Sequence, residues 1–560
     1  PRVSEAQPWV KAQKFNKPCK GETKFTIMPG CTRWLFEVQK IVFNSQEICY
    51  KNRMKKLNPT LLILFFLLLL TFGYFSHHLS GPNVNTRLDL VYAIVERGSF
   101  SIDAYHDEWF TWTCDKALYQ EHYYCDKAPG LSFTAVPLYA LMWKARDWFA
   151  VFATAPHPQW VEVTRYILTL CTSGLSAALL GCLLWILAQR FGASEKVAFM
   201  LSVGLLVGTV LGGYASLFYA YLPSAFCCAW AYLLLLDGRL NGPEVLAKGT
   251  RLFWVGLLIG LAWFFEYTSG LAGLALCAYA LFSLRRHAFS CWKIALGGLL
   301  PVLVFCWYTK TVFNEFTIPY KYEAEELFRT EMAKGFQGIH LPSLTALYYL
   351  TVHPFRGLFF HSPVLLLGLA GLWTGLRAKG EERKFLPDTI LSLFVISAYF
   401  LYNSGYYMWW GGAVSGPRLL CPSILFYLTP LVIWCRRMSQ TRAGIFAVLL
   451  TVSLLFNFMI LAVDPQVPSD INKLEIGKAK ISDNLPSPLL NNVIPRFCVK
   501  APVAEKDASP EASLLAINLG MVLFHLKEKV SLVPLGLIWC VGLGWVLGRK
   551  QQSVVEEERS

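Results

Sequence analysis

Long apolar runs alternate with short polar and basic segments along the chain from about residue 59 onward. A helix needs roughly 20 residues to cross about 30 Å of hydrocarbon, and about twelve segments approach this length. They lie near residues 59–76, 162–187, 194–213, 218–236, 252–267, 268–284, 292–312, 362–377, 388–404, 419–435, 443–463 and 530–548. The pattern predicts an all-α polytopic membrane protein, a bundle of about 12 transmembrane helices.

Composition supports this prediction. The chain has 560 residues, of which 55% are hydrophobic and only 16% are charged, and this balance excludes an ordinary soluble enzyme. The net charge of +14 would suggest a nucleic-acid partner in a soluble protein. Here the Lys and Arg residues lie largely in short loops between apolar runs, so we predict a chain surrounded by membrane lipids and no nucleic-acid partner.

The basic loops determine the predicted orientation, since short cytoplasmic loops hold an excess of Lys and Arg. All of these loops fall on one side if residues 131–143, an apolar stretch too short to span, lie along the outer interface. Both termini are then cytoplasmic, and three large segments lie outside: 77–161, 313–361 and 464–529. The outer face is therefore predicted to carry the polar chemistry.

The two ends of the chain differ from its apolar body. Residues 1–53 are mixed and basic. They form either an N-terminal tail or a mis-assigned start, because Met54 directly precedes Lys55, Lys56 and the first apolar run. Residues 54–550 are the predicted membrane domain, and residues 551–560 are a cytoplasmic tail.

The first outer segment concentrates carboxylates beside cations. Between residues 81 and 130 these are Asp89, Asp103, Asp107, Glu108, Asp115 and Asp126, with Lys116 and Lys127. A sugar transfer from a lipid phosphate needs a carboxylate to deprotonate or orient an acceptor hydroxyl, and cations to neutralise the departing phosphate. For any single residue, an ordinary surface ion pair on a solvated loop remains the alternative.

The tripeptide Asp-Lys-Ala occurs twice in this segment, at 115–117 and at 126–128, and the second copy lies in the string YYCDKAPGLSFTAVPLYAL. With RLDLVYAIVERGSFSID before it, this loop resembles the bacterial polyprenyl-phosphate-dependent glycosyltransferases of the GT-C superfamily. That group contains protein O-mannosyltransferases and the lipid A aminoarabinose transferase. The likeness continues in order through EYTSGLAG, GIHLPSLTALYYLTVHPFRGLFFHSPVLLLGLAGL and WWGGAVSGPRLLCPS, and spans most of residues 54–550.

The resemblance implies a catalytic carboxylate in the large first outer loop, a juxtamembrane helix after the Asp-Lys-Ala-Pro string, and a lipid-phosphate sugar donor that enters from the outer leaflet. It also implies an inverting transfer that uses no nucleotide sugar. A lysine matching Lys127 would meet the donor phosphate, and an acid matching Asp126 would support that lysine or ligate a divalent ion. The sequence assigns no definite cofactor, and a divalent metal is compatible with these residues without being required.

One departure from the family concerns the catalytic base. Relatives carry a paired acidic motif just before an arginine, whereas this chain has Val84, Asn85 and Thr86 before Arg87. Either the base has moved within the same loop or the chain is impaired, and we expect relocation because the other motifs are intact. The catalytic candidates, in order, are Asp115, Asp103, Asp126 as an orienting or metal-binding acid, and Asp89.

Residues at several outer turns complete the predicted substrate site. The set is Arg87, Lys116, Lys127, Tyr221, Glu266, His353, Arg356, Trp410 and Arg418. A carboxylate such as Glu266 is costly at membrane depth unless it faces a cavity or a partner. Arg418 ends a glycine-rich string, where its guanidinium offers a bidentate fork to phosphate. Each residue also has a structural alternative, because belt tryptophans, snorkelling lysines and satisfied interfacial histidines are common.

The sequence favours an integral membrane glycosyltransferase that moves a hexosyl or pentosyl group from a polyprenyl-phosphate donor to an extracytoplasmic glycan, lipid or protein, in a bacterial plasma membrane. The alternative is a transporter or flippase for a polyprenyl-linked glycan, which needs similar cations but no acid-rich first loop. The paired halves with interrupted helices that are expected of many transporters are not evident. Cys114 and Cys125 would pair if the outer compartment is oxidising, which the sequence leaves open.

Overall fold

The computed structural model describes residues 58–77, 81–148, 158–466, 485–498 and 515–549. The predictions for the N-terminal tail, for Met54 and for residues 551–560 lie outside the described residues, as do parts of the first and third predicted outer segments.

The described chain is mostly helical. The helices are α1 (Pro59–Gly73), α2 (Pro82–Arg97), α3 (Gly130–Ala145), α4 (Pro158–Thr169), α5 (Leu175–Arg190), α6 (Glu195–Leu206), α7 (Leu211–Ala215), α8 (Tyr221–Asn241), α9 (Pro243–Ala247), α10 (Arg251–Phe265), α11 (Gly270–Ser283), α12 (Trp292–Phe313), α13 (Glu326–Met332), α14 (Leu344–Thr351), α15 (Leu358–His361), α16 (Leu366–Leu376), α17 (Leu386–Gly405), α18 (Leu428–Cys435), α19 (Gln440–Val463), α20 (Ile494–Cys498), α21 (Leu519–Phe524) and α22 (Val533–Gly548). The strands form two antiparallel pairs, β1 (Phe75–Ser76) with β4 (Ile517–Asn518) and β2 (Ala117–Tyr119) with β3 (His122–Tyr124).

Tighter or wider helical turns extend or link these helices. The 3-10 turns are Arg146–Trp148, Tyr267–Ser269, Ala288–Cys291, Pro319–Tyr322, Pro363–Leu365, Gly380–Phe385, Arg418–Tyr427 and Glu528–Leu532, and the π turns are Leu170–Gly174 and Leu489–Val493.

The apolar runs predicted to span are helical over most of their length. Within the described residues, 7 helices are long and apolar enough to cross a membrane, and four more apolar helices are shorter. The prediction of an all-α polytopic membrane protein is confirmed at this level. The count of about 12 spans stays a prediction, because the shorter helices fall below the length of a full crossing.

Burial separates interior helices from peripheral ones. In α8, 89% of the most apolar window is buried inside the protein, whereas in the span that contains α22 the share is 17%. A long apolar helix that the protein leaves uncovered needs another apolar medium, and a bilayer supplies one. The peripheral helices therefore have the surface that lipid would cover.

The stretch predicted to lie along the interface forms α3. This helix has 16 residues and contains Pro137, and it is shorter than the roughly 20 residues of a full crossing. Its first residue, Gly130, packs directly on α10, since a Cβ there would lie 2.5 Å from the carbonyl oxygen of Phe264. The chain after the second Asp-Lys-Ala copy is therefore held close to the end of α10.

A hairpin in the first predicted outer loop joins this loop to the second one. Gln120 and Glu121, between β2 and β3, have φ values of 50° and 66°, as tight two-residue hairpin turns require. On its other side Ala117 bridges Glu323, and the Ala324 amide donates to the Lys116 carbonyl at 2.8 Å. Backbone pairing thus brings residues near 323 to the Asp-Lys-Ala strand.

Two glycines allow α10 and α12 to pack closely. A Cβ at Gly256 would lie 1.9 Å from the carbonyl oxygen of Ile294, and a Cβ at Gly297 would lie 1.9 Å from that of Phe253. Small residues that let helix backbones approach are a common basis of helix association in membranes. The contact fixes α10, whose last residues border the cavity described below.

We expect Gly256→Leu to lower the Tm of the detergent-solubilised protein clearly, because the side chain would push α10 away from α12 at a cost of about 3 kcal/mol. Gly544→Leu, at a helical position with nothing within 4 Å of an added Cβ, is the matched control. Equal Tm values for the two variants would contradict this packing.

Candidate active site

A cavity of about 430 Å³ lies where the first predicted outer loop meets the turn at residue 266, the second predicted outer loop and the turn at residues 405–418. Its polar and charged lining includes Asn83, Arg87, Asp115, Lys127, Tyr221, Glu266, Tyr320, Glu323, Tyr406, Tyr407 and Arg418. The two loops were predicted from loop charge to lie outside, and the two turns carry Glu266 and Arg418, which the sequence analysis placed at outer turns of the substrate site.

Lys127 lies at the centre of a cluster of acids. Its ammonium is 3.1 Å from Asp115 Oδ2 and also contacts Asp126 Oδ2, and it lies over the Tyr320 ring at 5.3 Å from the ring centroid. Burial opposes the lysine's charge, but the carboxylates of Asp115 and Asp126 outweigh it and raise the pKa of Lys127 well above its usual value. Lys127 is therefore a fixed cation at the cavity wall.

Asp126 is completely buried behind Lys127. Burial raises the pKa of the Asp126 carboxyl to about 6, against the opposing charge of Lys127. This carboxyl does not line the cavity itself. It is placed to hold the lysine, and its charge changes close to neutral pH.

Arg87 and Glu266 both line the cavity and form an ion pair. Arg87 lies one turn after Asn83 on α2, and its Nη1 donates to the carbonyl oxygen of Ala128 at 2.9 Å. Its Nη2 lies 3.5 Å from Glu266 Oε2. Glu266 interrupts the helical chain between α10 and α11 with an extended backbone, φ −147°. This break turns a carboxylate into the cavity from between two short apolar helices.

Arg418 approaches from the glycine-rich turn. Its Nη1 donates to the Tyr219 hydroxyl at 3.0 Å, while its buried Nε has no hydrogen-bond partner within the described chain. Gly411 has φ 75°, and a Cβ there would lie 2.9 Å from the Arg418 Cγ. The glycine is needed both for this backbone conformation and for the space that the arginine occupies.

Tyr221, one of the predicted substrate-site residues, also lines the cavity. Its ring stacks on Tyr219 with a centroid distance of 5.6 Å and an interplanar angle of 10°. Tyr221 thus lines the cavity beside Arg418, and Tyr219 lies behind it and accepts the hydrogen bond from Arg418.

Several predicted residues lie outside the cavity. Lys116 contacts His106 Nδ1 at 2.7 Å and Asp107 Oδ1 at 3.0 Å, and it does not line the cavity. Asp103 bonds the exposed His122 ring at 2.6 Å and accepts from the Tyr123 amide at 2.7 Å. Both side chains are occupied by loop contacts.

Asp89 is buried and also lies outside the cavity lining. Neither of its carboxylate oxygens has a hydrogen-bond partner among the described residues. Burial raises its pKa well above the usual value, so the group is held in its neutral form. This environment differs from that of a base that faces a substrate.

His353, Arg356 and Trp410 support the site from behind. Arg356 is buried and donates to the carbonyl oxygens of Trp410 and Gly412, each at 2.9 Å. Trp410 packs with Tyr349 in a buried aromatic cluster, and the His353 ring lies 4.3 Å from that of Tyr349. These contacts hold the glycine-rich turn that carries Gly411 to the cavity, and the three side chains do not line it.

Glu323 is the charged residue of the cavity lining described above that the sequence analysis did not name. It is 1% exposed, and neither carboxyl oxygen has a hydrogen-bond partner within the described residues. Burial, together with the negative charge of Asp126, raises its pKa to about 10. No local motif marks this residue, because it reaches the site only through its pairing with Ala117.

Cys114 and Cys125 are both free thiols, the first partly buried and the second buried. Across the described residues, no three His, Cys, Asp or Glu side chains converge in a way that would hold a metal ion.

The cavity joins charge to apolar surface. Arg87, Lys127 and Arg418 offer cations to an anionic group, and Asp115 offers a carboxylate within the same space. Leu274 and Phe336 also line the cavity and are 72% and 78% exposed. The site therefore suits a ligand with a charged head and a long apolar part.

Neither a family model nor a curated protein matches the chain. Solved structures do match at low sequence identity, and three of them are reported next.

ArnT from Cupriavidus metallidurans, bound to undecaprenyl phosphate, matches with a TM-score of 0.47 and 16% identity, over 87% of this chain and 74% of that chain. The oligosaccharyltransferase AglB from Archaeoglobus fulgidus, in complex with an inhibitory peptide and a dolichol-phosphate, matches with a TM-score of 0.40 and 12% identity, over 74% of this chain and 56% of that chain. An apo oligosaccharyltransferase from the same organism matches with a TM-score of 0.42 and 10% identity, over 80% of this chain and 62% of that chain.

Proposed function

We propose that the chain is an integral membrane glycosyltransferase that moves a sugar from a polyprenyl-phosphate donor to an extracytoplasmic acceptor, with inversion at the anomeric carbon. The observation that carries this proposal is the meeting of Lys127, Arg418 and Asp115 in one cavity bordered by exposed apolar side chains. The cations fit the phosphate, the carboxylate fits the acceptor, and the apolar border fits the prenyl chain.

The reaction assigns a task to each group. The acceptor oxygen attacks the anomeric carbon as the bond from that carbon to the phosphate oxygen breaks, and the electron pair leaves with the phosphate. Asp115 takes the hydroxyl proton, and Lys127 and Arg418 stabilise the negative charge that grows on the leaving phosphate. Preorganised charges that act where charge develops are usually the largest single source of catalysis.

A transfer assay tests the proposal. Purified protein in liposomes would be incubated with a panel of polyprenyl-phosphate hexoses and pentoses and with extracytoplasmic glycan, lipid and protein fractions. We expect release of polyprenyl phosphate with equal labelling of one acceptor fraction. Movement of intact donor across the bilayer without cleavage would instead support a flippase.

The pH dependence of donor binding follows from Asp126. Its pKa of about 6 means that it is ionised at pH 7.5, where it competes with the phosphate for Lys127, and protonated at pH 5, where it does not. We therefore expect the phosphodiester donor to bind about tenfold more tightly at pH 5, the equivalent of one pKa unit.

Equilibrium binding of a short-chain donor checks this expectation, since a phosphodiester keeps one negative charge across this range. Asp126→Asn should bind the donor tightly at both pH 5 and pH 7.5, so its donor affinity should no longer depend on pH. A wild-type pH profile that survives unchanged in Asp126→Asn would rule out this titration.

A further inference from the structure

Glu323 has a geometry that its neighbours in the cavity lack. Asp115 and Glu266 each face a cation, at 3.1 Å and 3.5 Å. Glu323 lines the same cavity, is 1% exposed, and has no hydrogen-bond partner for either oxygen within the described chain. A buried polar group left without a partner is costly, and Glu323, unlike the buried Asp89, lines a cavity that can hold a ligand.

Backbone contacts hold the segment that carries this carboxyl. Glu323 follows the 3-10 turn Pro319–Tyr322, whose Tyr320 ring lies against Lys127. The bridge to Ala117 and the bond from the Ala324 amide to the Lys116 carbonyl hold the segment on the hairpin. The segment that carries the carboxyl is therefore held beside the hairpin.

The surrounding charges determine the protonation state of the Glu323 carboxyl. Asp115 and Asp126 already neutralise Lys127, and Glu325 lies two residues away. A third carboxylate here would be buried without a cation of its own, and burial with the nearby acids raises the pKa of Glu323 to about 10. At neutral pH the group is a protonated acid, which can donate one hydrogen bond.

We propose that Glu323 is a catalytic residue that acts as a neutral carboxylic acid and donates a hydrogen bond to a phosphate oxygen of the lipid-linked donor. This inference rests on the proposed function. The proton stays on Glu323 throughout. The bond strengthens as the phosphate gains charge, while Asp115 takes the acceptor proton at the other end of the reaction.

A set of three variants separates this role from that of a base. Gln donates through its amide but cannot accept a proton, so Glu323→Gln should keep kcat/KM for transfer within about threefold of wild type. Glu323→Ala should lower it by about 10- to 100-fold, as expected for a hydrogen bond to a charged group. Glu325→Ala, at an exposed carboxylate two residues away, is the matched control and should retain wild-type activity.

Two transfer results would overturn the proposal. Equal loss in Glu323→Gln and Glu323→Ala, with unchanged Tm, would show that an ionisable carboxyl is required. Full activity in Glu323→Ala would show that the group has no role.

Failure of the proposed function would look different, because the wild type itself would then transfer no sugar. In that case equilibrium binding of a short-chain polyprenyl phosphate decides. Weaker binding to Glu323→Ala than to Glu323→Gln and wild type would support the contact between Glu323 and the phosphate. Equal or absent binding in all three proteins would overturn it.

Discussion

Asp115→Asn is expected to lower the rate of sugar transfer by about 10²- to 10⁴-fold, the usual contribution of general base catalysis. Asp115 is the predicted base that lines the cavity, where its Oδ2 lies 3.1 Å from the Lys127 ammonium. Asparagine keeps the shape of the side chain but cannot take a proton. Single-turnover transfer at saturating donor measures the effect, so a change in donor affinity does not enter the measured rate.

Asp103→Asn is the matched control for this prediction. Asp103 lies in the same loop but bonds His122 and the Tyr123 amide outside the cavity. We expect it to keep transfer within about threefold, as for a hydrogen bond near the loop surface. If Asp115→Asn kept the wild-type rate and Asp103→Asn lost it, the base would have to be reassigned to Asp103.

Lys127→Ala is expected to weaken donor use, measured as kcat/KM for the donor, by about 100-fold, because charge-assisted hydrogen bonds to phosphate are strong. Arg418→Ala should produce a loss of similar size. Lys116→Ala is the matched control, since Lys116 occupies the same position in an identical tripeptide but pairs with Asp107. Wild-type kcat/KM in both Lys127→Ala and Arg418→Ala would exclude the phosphate assignment.

Folding must be checked in the lysine variant. Removing Lys127 leaves the buried Asp126 without its cation, which costs about 3–5 kcal/mol for a broken buried pair. The double variant Asp126→Asn/Lys127→Met removes that penalty. A normal Tm with weak donor use in the double variant would assign the loss to the missing contact with the phosphate.

The two Asp-Lys-Ala copies show how far sequence reasoning reaches. The repeated tripeptide indicated phosphate chemistry, but it did not distinguish the copies. The first copy leads into β2, where Lys116 points to His106 and Asp107, and the second follows β3, where Lys127 lines the cavity. The string around the second copy named Lys127 for the phosphate contact, whereas only the strand pairing explains why Lys116 lies outside the cavity.

Glu323 and Arg356 show two different reasons why the sequence did not predict where a residue lies in the site. Glu323 carries no local signal, because a bridge between distant loops brings it to the site. Arg356 lies in a string that carries the family resemblance. Its guanidinium nevertheless donates to carbonyl oxygens of the turn before Arg418 and does not reach the cavity. Hydropathy, by contrast, predicted the helices well, because burial in a membrane depends on residue type over whole segments.

The lipid that copurifies with the protein tests the central claim most directly. We expect mass spectrometry of the extract from detergent-solubilised wild-type protein to show a polyprenyl phosphate, and the same extract from Lys127→Ala to be depleted of it. Wild-type protein that retains bulk phospholipid but no polyprenyl phosphate, or equal amounts in both proteins, would contradict the assignment of the cavity to a lipid-phosphate donor.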